Sequence, residues 1–183
     1  MNRIRQFIFP ACCAVCLSLS SCDKDNNEMT EQTLYEKLGG KRMVSDPRNA
    51  SQMIEQGRLN LRSVVDSTIF VIAATPDLQP YFAPLLAEVT SGNTTNLALL
   101  SRSLTDFFVV ATGSETGSYS GMNMRDAHDP DKNPRMALKA DNKSYDDFIT
   151  AVVKGAQQNK VPMELIQEVG TLIETLRSTI VQR

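Results

Sequence analysis

The chain has 183 residues, with 19 lysines and arginines against 21 aspartates and glutamates, one histidine, four cysteines and no tryptophan. A formal net charge of -2 leaves no basic surface of the kind nucleic-acid binding needs. A single imidazole excludes a multi-histidine metal cage, and Cys12, Cys13, Cys16 and Cys22 all fall in the first 22 residues, so the chain beyond them has no pair to bridge.

Met1-Asn-Arg-Ile-Arg opens the sequence, an apolar run follows over residues 7–19, and Leu19-Ser-Ser-Cys22 closes the segment. A basic start, an apolar middle and small residues before a cut describe an export signal, and the run is too short to span a bilayer. Its ending resembles the lipobox of bacterial lipoproteins, which implies cleavage before Cys22 and lipidation of that cysteine. Residues 1–21 are then the signal peptide, 22–31 a polar flexible tether, and 32–183 one domain long enough to bury a full core. Losing Arg3 and Arg5 with the signal leaves 17 basic residues against 21 acidic ones. Each buried lipid methylene contributes about 0.8 kcal/mol, so acyl chains on Cys22 hold the domain at an envelope membrane without a spanning helix. The sequence does not choose the leaflet.

Within the domain, Thr33-Leu-Tyr-Glu-Lys-Leu-Gly-Gly40 reads as a short helix stopped by a glycine pair. Residues 41–60 are polar, contain Asp46-Pro-Arg-Asn49, and read as an inserted connection. From Leu61 onward, Leu61, Val64, Val65, Thr68, Ile69 and Ile72 recur at helical spacing until Pro76 ends the run. Tyr81-Phe82 is an aromatic pair, and 91–95 is a loop with helix-starting residues at its end. A helix over residues 96–110 gathers Leu97, Leu100, Leu104, Phe107 and Phe108 on one side. A glycine-broken turn over 111–119 leads to the histidine. After it, Asp129, Asp131 and Asn133 have the one, three, five spacing of a calcium loop, but Pro134 stands where glycine is needed and Ala140 where the closing glutamate belongs. Two further helices carry Tyr145, Phe148, Ile149, Val152, Val153 and Ala156 on one face, and Met163, Ile166, Val169, Leu172, Ile173, Leu176 and Ile180 on the other. No period-two alternation long enough for a sheet is present, so the fold class expected is all-α.

A lone imidazole can be the one protein ligand of a haem iron. The run Tyr119-Ser-Gly-Met-Asn-Met-Arg-Asp-Ala-His128 resembles the proximal segment of the group 1 truncated haemoglobins, in which a Tyr-Thr/Ser-Gly turn leads into a short helix of pattern Met-Lys/Arg-x-x-His. Tyr119, Gly121, Met124, Arg125 and His128 match that pattern. Leu34-Tyr35 with Gly39-Gly40, and Asp147-Phe148 through Val161-Pro162 to Val169, extend the resemblance over about residues 32–182, with insertions before the second helix, between Phe82 and Leu97, and after His128. The resemblance implies a truncated globin-like 2-over-2 helix sandwich with loop insertions. It also implies a haem b held by His128 on its proximal side, Phe82 stacked on the ring, and Met124 beneath it. Arg125 would meet a propionate, with Arg102 and Tyr119 as further candidates. Ile69, Leu100 and Leu104 would face the iron from the distal side, with Phe70 as a one-register alternative to Ile69. Beside these roles stand plainer ones: Tyr81-Phe82 as core aromatics, Met124 as core filler and Arg125 as a solvated helix charge.

Many group 1 members place a tyrosine and a glutamine on the distal side, and this chain departs from them there. A hydrogen-bond donor adds about 0.5 to 1.5 kcal/mol net; without one, nitric oxide or carbon monoxide is expected to be favoured over tight oxygen storage. The resulting expectation is an envelope lipoprotein that binds a small diatomic ligand (O2, NO or CO) at a His-ligated haem. The alternative is a haem-free globin-fold scaffold or interaction module. Nitric-oxide dioxygenation or peroxide turnover would need a redox partner as electron source, since the chain has no flavin or nicotinamide motif.

Overall fold

The computed structural model describes residues 31–183; the expected signal peptide, Cys22 and the tether through Thr30 lie outside the described residues. The chain begins with one helical turn, α1 (Leu34–Lys37), fixed by a reciprocal capping box in which Thr33 Oγ1 accepts from Glu36 N and Glu36 Oε2 accepts from Thr33 N. Gly39 and Gly40 then take φ of 123° and 59°, the left-handed conformations that only glycine adopts cheaply, and close the turn as the glycine pair predicts.

Residues 41–60 are not a plain loop. Residues 43–55 form an antiparallel hairpin, β1 (Met43–Asp46) and β2 (Asn49–Glu55), with Val44 opposite Ile54 and an irregularity between Ser45 and Asp46, and residues 56–60 already belong to the next helix. The fold class remains all-α, and the insertion expected here takes the form of one two-stranded element. Ile54 is its one buried hydrophobic residue, while Met43 and Met53 are more than half exposed, so no readable alternation exists. An isolated hairpin is marginal in water, and side chains from elsewhere hold this one. Arg62 binds Asp46 through both guanidinium nitrogens (3.0 and 2.6 Å), and Tyr35 donates its hydroxyl to Glu55. Burial and Glu55 together push the Tyr35 hydroxyl up to about 12.

Arg62, joined by the backbone N–H of Arg48, holds the Asp46 carboxyl down at about 2. A carboxylate depressed in the folded state contributes fully above its unfolded value near 4, and that contribution is lost as pH falls towards 2. Asp46→Asn is therefore expected to lower the thermal midpoint at neutral pH and to flatten its decline between pH 4 and 2. A parallel decline in both proteins would rule the pairing out.

The main helices are α2 (Gln56–Ala74), α4 (Thr95–Ala111), α6 (Asn142–Gln158) and α7 (Met163–Glu174). A 3-10 turn (Gln79–Phe82), α3 (Ala83–Thr90), the single turn α5 (Met124–Ala127) and α8 (Arg177–Ile180) complete the chain. Helix α2 starts five residues before the first apolar position of its stripe and stops at Thr75, where Pro76 could not continue the ladder. It packs against both α4 and α6, and α7 packs on α6. Tyr35, Leu61, Val65, Phe108, Tyr145, Val152 and Ile173 fill the space between.

Two helices differ from their apolar patterns. On α4 the fully buried residues are Ser101, Thr105, Phe108 and Val109, whereas Leu97, Leu100, Leu104 and Phe107 are half-buried. The hydroxyls can go inside because Ser101 donates to Asp66 (2.6 Å) and Thr105 to the Ser101 carbonyl (2.7 Å). The last helix is also broken: α7 ends at Glu174, and α8 restarts at Arg177 and buries Ile180.

Candidate functional site

His128 terminates α5, a turn that exists because Asn123 Oδ1 accepts from the Asp126 N–H (2.9 Å) at its start. The imidazole folds back over its own turn, placing Nδ1 2.7 Å from the Met124 carbonyl oxygen. A carbonyl can only accept, so Nδ1 carries the proton and Nε2 keeps its lone pair. Among the described residues Nε2 has no hydrogen-bond partner. Burial lowers the pKa of His128 below its ordinary value, opposed by the bond to Met124, so the ring is neutral at neutral pH. A neutral imidazole with one nitrogen engaged by a carbonyl and the other free is the form that ligates a metal.

The ring lines a cleft of about 440 Å³, counting the part open to solvent, whose walls include Phe82, Tyr145 and Phe148. Its other walls are Leu78, just before the 3-10 turn, and Tyr81 within it, Met136 and Ala140 from the segment after the histidine, Ser144 from the first turn of α6, and Ile180 from α8. A second cleft of about 580 Å³, lined by hydrophobic side chains with Thr68 and Gly170, lies between α2, α4, α6 and α7 and takes in Leu104, Val65, Ile149 and Ile173.

The structure thus brings His128 and Phe82 onto one cleft and sets Leu104 on another. Ile69 packs against the main core, half-buried, and Leu100 is half-buried on α4; neither lines either cleft. Phe70 is 72% exposed, which removes the alternative register. Met124 packs on the core beneath the histidine turn. The Tyr119 hydroxyl donates to the Met122 carbonyl (2.7 Å), and its ring meets Phe107 edge-on at 5.8 Å. That hydroxyl is already engaged, so Tyr119 braces the turn instead of reaching outward.

Arg125 and Arg102 are exposed. Among the described residues neither side chain forms an ion pair or hydrogen bond, while Arg48, Arg58, Arg62, Arg177 and Arg183 are all paired with carboxylates. The calcium-like spacing has another use. Lys139 lies 3.5 Å from both Asp129 and Asp131, and the Asn133 amide donates to the Ala127 carbonyl. Among the described residues no three His, Cys, Asp or Glu side chains gather as metal ligands.

Sequence reasoning assigned Tyr145 and Phe148 only to a helix face and gave Ser144 and Met136 no role. Ser144 and Tyr145 had a visible signal, since Asp141 and Ser144 form the capping box that starts α6 beside the cleft. Met136 had none.

No family model and no curated protein matches the chain. Solved structures do. The truncated haemoglobin of Tetrahymena pyriformis in its Fe(III) form is 20% identical, over 83% of this chain and 100% of that one, with a TM-score of 0.59. Its tyrosine-to-phenylalanine variant gives 0.58 and a glutamine-to-glutamate variant 0.59, at the same identity and coverage. With the helix order above, these likenesses show that residues 31–183 adopt the all-α fold of the truncated haemoglobins, with a hairpin between α1 and α2.

Proposed function

We propose that this chain is a haem protein of the group 1 truncated-globin kind, carried on a lipid anchor at Cys22, that binds a small diatomic ligand at the cell envelope. The observation that carries the reading is the state of His128: Nδ1 is tied to the Met124 carbonyl, and Nε2, on an aromatic-walled cleft, has no hydrogen-bond partner among the described residues. The residues fit haem b in two further respects. Phe82, Tyr145 and Phe148 offer flat apolar faces, and Arg125 and Arg102 are cations without carboxylate partners among the described residues, available to propionates. When bound, the haem would supply an iron with one coordination position left for O2, NO or CO.

The chain's own contribution is to hold a neutral imidazole in place with a fixed tautomer. Ile69, Leu100 and Leu104, the residues the resemblance sets on the distal side, carry no N–H or O–H donor but lie off the cleft that holds His128, so a preference for carbon monoxide or nitric oxide over dioxygen rests on the resemblance and not on the walls of that cleft. The mature protein purified with added hemin is expected to show a Soret band and, once reduced, a carbon monoxide complex. Absence of the band would leave the haem-free scaffold, a reading favoured by the separation of His128 and Leu104 onto different clefts. Cys22→Ser is expected to move the protein from the membrane to the soluble fraction; continued sedimentation with membranes would remove the lipid anchor.

A further inference from the structure

A helix of one turn cannot hold itself together, because nucleation costs more than a single hydrogen bond returns. Helix α5 has no buried residue of its own, yet it carries the histidine. Four side chains occupy carbonyls in and around this turn. Tyr119 Oη donates to Met122 O (2.7 Å), His128 Nδ1 to Met124 O (2.7 Å), Gln182 Nε2 to Arg125 O (2.9 Å) and Asn133 Nδ2 to Ala127 O (2.7 Å). Asn133 is the most deeply placed of them, 8% exposed. Its backbone N–H donates to Asp129 O at 2.7 Å, and its Oδ1 accepts from both N and Nε of Arg135 at 3.2 Å. Every polar atom of that amide is engaged except its second N–H, and the segment after the histidine is thereby tied back onto the peptide that precedes it.

We propose that Asn133 is a positioning residue for His128. Holding the Ala127 carbonyl fixes the plane of the Ala127–His128 peptide, and with it the backbone from which the imidazole projects. Gln182 holds the same turn from the C-terminal side. The significance of that positioning for haem rests on the function proposed above, but the positioning itself can be read in protein without haem.

Asn133→Asp keeps the size and the oxygen that accepts from Arg135, and replaces the donor facing Ala127 O with an acceptor. In the haem-free mature protein at constant pH, the expected result is hydrogen exchange at least tenfold faster at the Ala127 and His128 amides, with the Val65 and Thr68 amides unchanged. The nitrogen-15 signal of the protonated Nδ1 should move or broaden, which a purely structural role would not cause. Gln182→Ala is expected to act in the same direction by a smaller factor, and in hemin-loaded protein Asn133→Asp should release hemin at least tenfold faster. Unchanged exchange at 127 and 128 would overturn the proposal, as would equal acceleration throughout the fold, since Asn133 would then support the whole domain. If wild-type protein takes up no hemin, the functional reading fails while the exchange and nitrogen-15 results still decide the role of Asn133.

Discussion

His128→Ala is expected to abolish haem binding by the mature protein outright, with the Soret band absent at hemin concentrations that saturate the wild type. Removing a group that only orients a metal ligand costs about 10- to 100-fold in metal affinity, so removing the ligand itself should exceed that. No substitute is at hand. The chain has no second histidine, all four cysteines lie at or before Cys22, and the nearby Met124 and Met136 offer only thioether sulfurs. His128→Gly with added imidazole is expected to restore the band, because a free imidazole can enter the space the side chain leaves. A normal Soret band in His128→Ala would show that the iron is held elsewhere.

The same residue gives a pH signature without haem. Its folded-state pKa is lowered by burial, so the unfolded chain takes up a proton first as pH falls. The stabilising contribution is complete above the unfolded value near 6.5 and drains away below it, levelling off once the folded form also protonates. Wild-type apoprotein should lose thermal stability between pH 7.5 and 5 more steeply than His128→Gln.

The second large effect concerns two glycines in helices. Gly155→Ala on α6 is expected to destabilise the fold by about 1 to 3 kcal/mol, even though alanine favours a helix over glycine by about 1 kcal/mol. A Cβ at 155 would lie 2.8 Å from the Thr68 backbone nitrogen and 3.0 Å from the Val64 carbonyl oxygen. Both are backbone atoms of α2, so α2 and α6 must move apart, and neither can yield as a flexible side chain would. Gly170→Ala on α7 meets nothing within 4 Å and should gain up to about 1 kcal/mol. Urea unfolding of both variants checks the pair, and equal stabilities would mean that α2 and α6 do not approach so closely.

What the sequence made legible follows from how local each cause is. The start of α1, the glycine pair after it, the Pro76 stop and the histidine turn depend on residues within a few positions of one another, and their patterns were readable. The hairpin depends on Arg62 reaching Asp46 across 16 positions and on Tyr35 reaching Glu55, with Ile54 its one buried hydrophobic residue, so no periodicity announces it. On α4 the leucines suggested the buried face, but Ser101 and Thr105 take it because their hydroxyls find acceptors there, a fact that periodicity cannot carry. The histidine cleft was half visible: Phe82 and His128 were identified, while Met136 and Ile180 reach it only through the path of the chain after residue 128.

The partner that selects the tautomer of His128 is a main-chain oxygen, and that has a consequence for variation at position 124. Exchanging methionine there for leucine or isoleucine changes the side chain packed on the core but leaves the acceptor where it was. Which ring nitrogen stays bare is thus written into the path of the chain and is indifferent to the identity of the side chain at 124, so substitutions there can change how that position packs on the core without flipping the tautomer of the imidazole.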